Sequence, residues 1–401
     1  MLKPELVSPA GDFEKLQMAV AYGADAVYIG GSRFSLRKNA KNFDEPSLAE
    51  AISFAHNHGV KVYVAANIFA HNADFDGLKD YFLALRDMNA DAVIVSDAGV
   101  FDIARNIDGL PVHISTQANV TNKHSAKFYQ SLGAKRAVLA RELSLEEIKA
   151  INVYASNFET EVFVHGAMCV AYSGRCLLSN YLTKRDANQG DCVQACRWKY
   201  SLVEEERPGE YMPTYEDERG THIFNAKDLC MVTHIPELIA SGVLSFKIEG
   251  RAKTAYYVAA ATKIYREAID DYFTCPALYT SKCEYYVTNL TKIATRDFCT
   301  GFFFGHPKDS QMLQFDSRSA NQDFLGVVVK YDAEKKRALI QQRNKFRCGD
   351  TVAFLKAGFM QTITQIHSEN NELLDLARHP KQLVWIPAEQ PLEPFEIMRT
   401  N

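Results

Sequence analysis

Short apolar runs recur down the first part of the chain, each closing on small or polar residues. They are ELVSPAG (5–11), AVYIGG (26–31), VKVYVAAN (60–67), DAVIVSD (91–97), PVHISTQ (111–117), RAVLARE (136–142), EVFVHG (161–166) and LSFKIEGR (244–251). Their β-branched content and their bounding turn residues predict eight strands. Between them lie stretches with helical spacing, such as FEKLQMAVAYG (13–23), PSLAEAISFAHNHG (46–59) and HSAKFYQSLGA (124–134). The joins repeat as well. YGADAVYIG (22–30), MNADAVIVS (88–96) and LGAKRAVLA (132–140) each give a helix end, a Gly or Asn turn, then a strand. Eight βα units in succession predict an α/β fold, a closed (β/α)8 TIM-like barrel, with a doubly wound open sheet as the rival.

The alternation breaks once, where 78 residues (166–243) separate the seventh strand from the eighth; a βα connection ordinarily takes only a few. After about residue 320 the texture becomes DFLGVVVKYD, RALIQQRNKF, DTVAFLKAG, MQTITQIH and LVWIPAE, with frequent turns and no helical stretch. The expected organisation is a barrel core over 1–252 carrying the insertion at 166–243, a helical connector over 253–320, and a small C-terminal all-β barrel domain over 321–401.

A TIM-like barrel builds its functional face from the residues that follow each strand. Here these are Gly30, Asn67, Asp97, Gln117, Arg141, Glu142, His165, Glu249 and Arg251. Lys247 and Glu249 alternate onto one strand face, so they cannot both be buried without ionic partners, and a short ion-pair array is expected around them.

The formal net charge of −4 excludes a global cationic field and leaves local patches as the only route to nucleic acid. One patch is RFSLRKNAK (33–41), with Arg33, Arg37, Lys38 and Lys41; another carries Arg175, Lys184, Arg185, Arg197 and Lys199. No apolar run approaches the ~20 residues a membrane helix needs, and the start of the chain has no secretory pattern, so a cytoplasmic protein without membrane association is expected. Nine cysteines in a reducing compartment argue against a disulfide framework. Cys275, Cys283, Cys299 and Cys348 are scattered and read as buried residues.

Four others crowd into HGAMCVAYSGRCLLSNYLTKRDANQGDCVQAC (165–196), as Cys169, Cys176, Cys192 and Cys196. The spacing C-x6-C-x15-C-x3-C suits a thiolate-bound metal: an iron–sulfur cluster tolerates loose spacing, while only the second pair fits the C-x2–4-C habit of zinc. Both remain open on spacing alone. Cys230, at the start of an expected helix, is an alternative ligand.

EVFVHGAMCVAYSGRCLLS (161–179), NQGDCVQACRWKY (188–200), RPGEYM (207–212), NAKDL (225–229) and KIEGR (247–251), with SPAGD (8–12) and GADAVYIG (23–30), resemble the signatures of the collagenase-like peptidase family U32. The RPGEYM and NAKDL segments, with one short C-terminal β domain, look most like its prephenate-dependent tRNA uridine hydroxylase branch. The resemblance implies a 4Fe–4S cluster on Cys169, Cys176, Cys192 and Cys196, and formation of 5-hydroxyuridine at the tRNA wobble position with prephenate as hydroxyl source. Its partners would be a tRNA anticodon loop, the small dicarboxylate and an electron donor the sequence does not identify. An rRNA hydroxylase of the same family, a peptidase and a non-catalytic RNA-binding module are the alternatives. The motifs H-E-x-x-H and G-x-S-x-G, which a metalloprotease or serine hydrolase would need, are absent from the sequence.

An RNA enzyme of this kind splays out its target base, stacks it and holds the backbone with cations. Tyr172, Trp198, Tyr28 and Phe34 are candidate stacking residues, and Arg37 and Lys38 candidate phosphate contacts. Arg141 and Arg251 are the candidates to hold a dicarboxylate, with Lys247 in support. Asn67 and Gln117 complete the substrate-binding set, and Arg141, Glu249, Arg251 and His165 are the candidate catalytic residues.

Overall fold

In the computed structural model, which describes residues 2–35, 42–168, 178–185, 187, 191–193, 195, 202–203, 211–212, 215–217, 220–222, 227–305 and 323–400, eight parallel strands close on themselves. They are β1 (Glu5–Pro9), β2 (Ala26–Gly30), β3 (Lys61–Ala66), β4 (Ala92–Val95), β5 (Val112–Ile114), β6 (Arg136–Val138), β7 (Glu159–Gly166) and β8 (Ser245–Ile248). Closure is explicit in the register, since Ser245 pairs with Glu5 on one side and with Glu161 on the other. All eight expected strands are present, and the barrel, not the open sheet, is the fold.

Helices α1 (Phe13–Ala21), α2 (Glu45–Asn57), α3 (Leu78–Asp87), α4 (Ala98–Arg105), α5 (Lys123–Ser131) and α6 (Leu145–Tyr154) alternate with β1 to β7. Most start on a side-chain cap: Asp12, Asp44, Asp97, Asn122 and Ser144 each accept a hydrogen bond from a backbone N–H in the first turn. Such caps satisfy amides that would otherwise lack partners and fix where each βα turn ends. Asp97, expected at the functional rim, is engaged in this way by the amides of Gly99 and Val100.

The segment between β7 and β8 contains a short strand, Asp228–Cys230, antiparallel to β7, and α7 (Ile235–Ala240). Cys230, expected to open a helix, therefore lies in a strand. After β8 come two helices, α8 (Ala255–Thr274) and α9 (Pro276–Ile293), and a further strand at Phe298–Cys299 turns back to pair with Asp228–Cys230. Cys275, read as buried, is exposed at the break between α8 and α9.

The C-terminal unit is an eight-stranded antiparallel sheet with its own apolar core around Val328, Ile340, Phe354, Ile366 and Ile386. The small all-β barrel domain expected here is present as a half-barrel. It is joined to the first unit through buried contacts. The amide of Ile397 donates to Tyr22 Oη at 2.9 Å, Phe324 stacks on Tyr256 with centroids 5.9 Å apart, and Val327 and Ile397 belong to the barrel's apolar cluster.

Candidate active site

At the C-terminal ends of the strands one cavity is lined by Tyr28, Asn67, Ser115, Gln117, Arg141, Phe163, Lys247, Glu249 and Arg251, among others. Tyr28, Phe163 and Lys247 lie within β2, β7 and β8, and the others follow strand ends by one to three residues, the place where this fold presents chemistry. Asn67, Gln117, Arg141, Lys247, Glu249 and Arg251, six of the positions expected to bind or react, are brought together here.

Three cations shape the cavity. Arg141 lays its guanidinium over Phe163, 4.0 Å from the ring centroid, and donates from Nη1 to the carbonyl of Ala167 at 2.9 Å. Arg251 is 4% exposed; its Nη1 donates to Ser35 Oγ at 3.0 Å and its Nη2 to Asn42 Oδ1 at 2.8 Å. Lys247 is equally buried, with Nζ 4.4 Å from the centroid of Tyr28 and 2.7 Å from Glu161 Oε1.

The partner of Lys247 is thus Glu161, not the Glu249 of its own strand. Glu161 is fully buried and also meets Arg136 Nη1 at 3.0 Å and Ser245 Oγ at 3.0 Å. Burial alone would raise its carboxyl, but Lys247 and Arg136 outweigh that and hold it at about 2. Arg136 is clamped in turn by Glu5 at 2.6 Å and Glu159 at 2.8 Å. The ion-pair array anticipated from Lys247 therefore exists, but it runs down the barrel interior and anchors the mouth from below.

On the opposite wall Asn67 Nδ2 donates to Gln117 Oε1 at 3.2 Å, and Ser115 Oγ donates to the same oxygen. These fixed amides offer neutral hydrogen bonds beside the cations, and Glu249 adds a carboxylate. Chemically, the mouth suits an anionic ligand with hydroxyl or carbonyl groups: guanidiniums can fork onto carboxylates, and rings provide flat apolar walls. Tyr28, one of the suggested stacking residues, is in the wall, its Oη donating to the Ile248 carbonyl at 3.1 Å. Phe34 instead packs on Tyr81, with centroids 5.2 Å apart.

His165 corrects the expected set. It does not line the cavity but turns into the layer between β7 and α8, stacked on Tyr257 and packed against Tyr265 and Phe298. Burial first, then the charge of Lys253, lowers its pKa to about 3, so the ring is neutral at pH 7. Cys230 pairs with His165 across the antiparallel strands; burial raises its thiol to about 11, and its sulfur lies 3.9 Å from Tyr265 Oη. That is the environment of a core thiol, not of a thiolate ligand.

Of the four clustered cysteines, Cys192 is half-buried, while Cys169, Cys176 and Cys196 lie outside the described residues. So do Arg37, Lys38, Tyr172 and Trp198. The described part of the segment is tied together by Ser179, whose Oγ donates to the Arg185 carbonyl and accepts from the amide of Val193. Its start is fixed at the mouth, because Ala167, two residues before Cys169, is the acceptor for Arg141. Glu161 and Phe163 were not anticipated as site residues. The signal was an acidic residue alternating with aromatic and apolar positions inside EVFVHG.

Two family models account for almost the whole chain: peptidase family U32 over residues 11–313, and the peptidase family U32 C-terminal domain over residues 320–399. The chain belongs to peptidase family U32. Within U32 it is similar to tRNA hydroxylation protein P1 of Bacillus subtilis, 42% identical over 99% of this chain and 94% of the relative. It is also similar to tRNA hydroxylation protein P of Escherichia coli, 39% identical over 98% and 95%. The 23S rRNA 5-hydroxycytidine C2501 synthase of E. coli shares 41% identity over 66% of this chain but only 39% of its own length.

Proposed function

We propose that this U32 protein is an RNA hydroxylase acting on tRNA, forming 5-hydroxyuridine at the wobble position with prephenate as hydroxyl source and with a 4Fe–4S cluster on Cys169, Cys176, Cys192 and Cys196. The observation that carries the reading is the convergence of Arg141, Lys247 and Arg251 on one mouth, with the cysteine-bearing segment leaving that mouth at Ala167. Two relatives matched over nearly their whole length are named for tRNA hydroxylation, which supports tRNA as the substrate.

In this reading Arg141 and Arg251 hold the two carboxylates of prephenate, and the Asn67–Gln117 pair orients its hydroxyl. Glu249, in the lining of the mouth, takes or holds a proton at the reacting base. The ring faces of Tyr28 and Phe163 take the flipped uracil or the diene ring of prephenate. Four thiolates in one segment are the donor set that a cubane cluster takes, and when bound it supplies one-electron redox chemistry.

Anaerobically purified protein incubated with tRNA, prephenate and a reductant is expected to yield 5-hydroxyuridine, and to yield none when prephenate is replaced by phenylpyruvate. Hydroxylation that is indifferent to prephenate would contradict the assigned donor. Formation of 5-hydroxycytidine in rRNA fragments would favour the reading based on the 23S rRNA relative.

A further inference from the structure

A second cavity, of about 630 Å³, separates α8 and α9 from the C-terminal half-barrel. Its walls include Tyr256, Lys263, Tyr285 and Lys292 from the helices and Phe359 and Arg399 from the β unit. Lys263 is paired with Glu267. Lys292 has neither a hydrogen bond nor an ion pair among the described residues, although it is half-buried. Arg399 donates only a long bond to the Thr400 carbonyl, 3.4 Å, besides its bond with Tyr256, and its Nε is buried with no acceptor.

Two cations are therefore held close together across the junction of two units. Burial, and then repulsion from Arg399, lowers the pKa of Lys292, the direction expected where a counter-charge is missing. Glu284 also reaches this cleft but is exposed. Partly desolvated cations facing each other are unfavourable in the absence of a partner, and an anion between them removes the cost. Tyr285, exposed at the cleft, puts an aromatic ring in the same lining as the cations, a combination that nucleic-acid strands use, whereas Tyr256 and Phe359 are packed on Phe324 and Phe354.

Tyr256 lines the cleft from α8, whose buried residues 255–261 pack between it and the barrel, so the cleft is a site separate from the mouth.

We propose that the cleft formed by Lys292 of α9 and Arg399 of the C-terminal strand binds the phosphodiester backbone of the RNA substrate away from the reacting base. This rests on the RNA reading above. It gives the C-terminal unit a task, holding RNA rigidly with respect to the barrel, which the buried Tyr22–Ile397 contact makes possible.

The test is tRNA binding as a function of salt, with Lys292→Gln, Arg399→Gln and the double variant compared with the wild type. Each lost phosphate contact should flatten the slope of log affinity against log salt by about 0.7–0.9, so the double variant should lose roughly 1.4–1.8. The KM for tRNA should rise while the KM for prephenate and the iron content stay unchanged. Because Arg399 bonds Tyr256, Lys292→Gln alone keeps the test valid if the Arg399 variants unfold. A wild-type slope in a folded Lys292→Gln protein would overturn the proposal. So would thermal stabilisation of the wild type by inorganic phosphate, lost in Lys292→Gln while tRNA binding is unchanged, since the cleft would then serve a small anion. If the wild type binds no tRNA, the RNA reading fails along with the cleft. If binding shows the predicted slopes but no hydroxylated base forms, the cleft stands and the reaction falls.

Discussion

Arg251 occupies the space that a side chain at Gly30 would take: a Cβ on Gly30 would fall 2.0 Å from Arg251 Nη2 and 2.5 Å from Ser35 Oγ. Glycine at the end of β2 is required here for close approach, and that approach sets where the guanidinium can point. Gly30→Ala should push Arg251 off its Ser35 and Asn42 partners without unfolding the barrel. Losing one or two charge-assisted hydrogen bonds of about 1.5–3 kcal/mol predicts a KM for prephenate raised roughly 10- to 100-fold, with iron content and tRNA affinity unchanged. Steady-state kinetics checks this, and an unaltered KM would remove Arg251 from the carboxylate site.

The buried Lys247–Glu161 pair makes a stability prediction. Glu161→Gln leaves Lys247 and Arg136 without the carboxylate between them and should cost about 3–5 kcal/mol, read by denaturant unfolding. Glu161→Gln combined with Lys247→Met should recover much of that loss while activity stays low, because the cavity would lose a cation. The sign with pH follows from a folded carboxyl held at about 2. Its contribution is present above the unfolded value near ~4.3 and is lost as pH falls toward 2. A wild type whose stability is flat from pH 5 to 2, a range set by those two values, would contradict the pairing.

His165 behaves in the opposite compartment of the titration range. Its folded pKa of about 3 lies below the unfolded value near ~6.5, so the unfolded chain binds the proton more readily. Stability should therefore decline as pH falls through this window, by up to about 1.4 kcal/mol per pH unit from this residue. His165→Phe should flatten that part of the profile and keep hydroxylation at neutral pH. Abolished activity in a folded, iron-loaded His165→Phe protein would return His165 to the catalytic set.

Much of this architecture was legible in the residues. The eight strands each carry apolar side chains on both faces, and their turns reuse one Gly or Asn pattern, so the barrel follows from periodicity. The mouth was legible for the same reason: Asn67, Gln117, Arg141, Glu249 and Arg251 directly follow strand ends. Glu161 was hidden because its partner is 86 positions away, and an ion pair across a barrel leaves no local trace. His165 was misread because a place at the end of a strand does not say which face a ring takes. Gly166, at φ +106°, ends β7 with a turn against Glu249, and His165 packs behind it on α8. The strand at Asp228–Cys230 was read as a helix because its partner at Phe298–Cys299 is supplied by a later part of the chain.

The cysteines divide by expected role. Protein purified without oxygen should carry about four irons and four sulfides per chain. Cys196→Ser should lose them, whereas Cys230→Ser should keep them, because Cys230 is a protonated core thiol beside Tyr265. Zinc in place of iron in the wild type, or iron lost only from the Cys230 variant, would overturn the ligand set.

The central claim is that the cationic mouth makes a hydroxylated wobble uridine in tRNA. Mass spectrometry of tRNA nucleosides from a strain lacking this gene and any redundant hydroxylase tests it most directly, with wild type or Arg251→Ala supplied in return. The account predicts 5-hydroxyuridine and its derivatives absent in the deletion, restored by the wild type, and not restored by an Arg251→Ala protein that still binds tRNA and iron. Normal 5-hydroxyuridine in the deletion strain would contradict it.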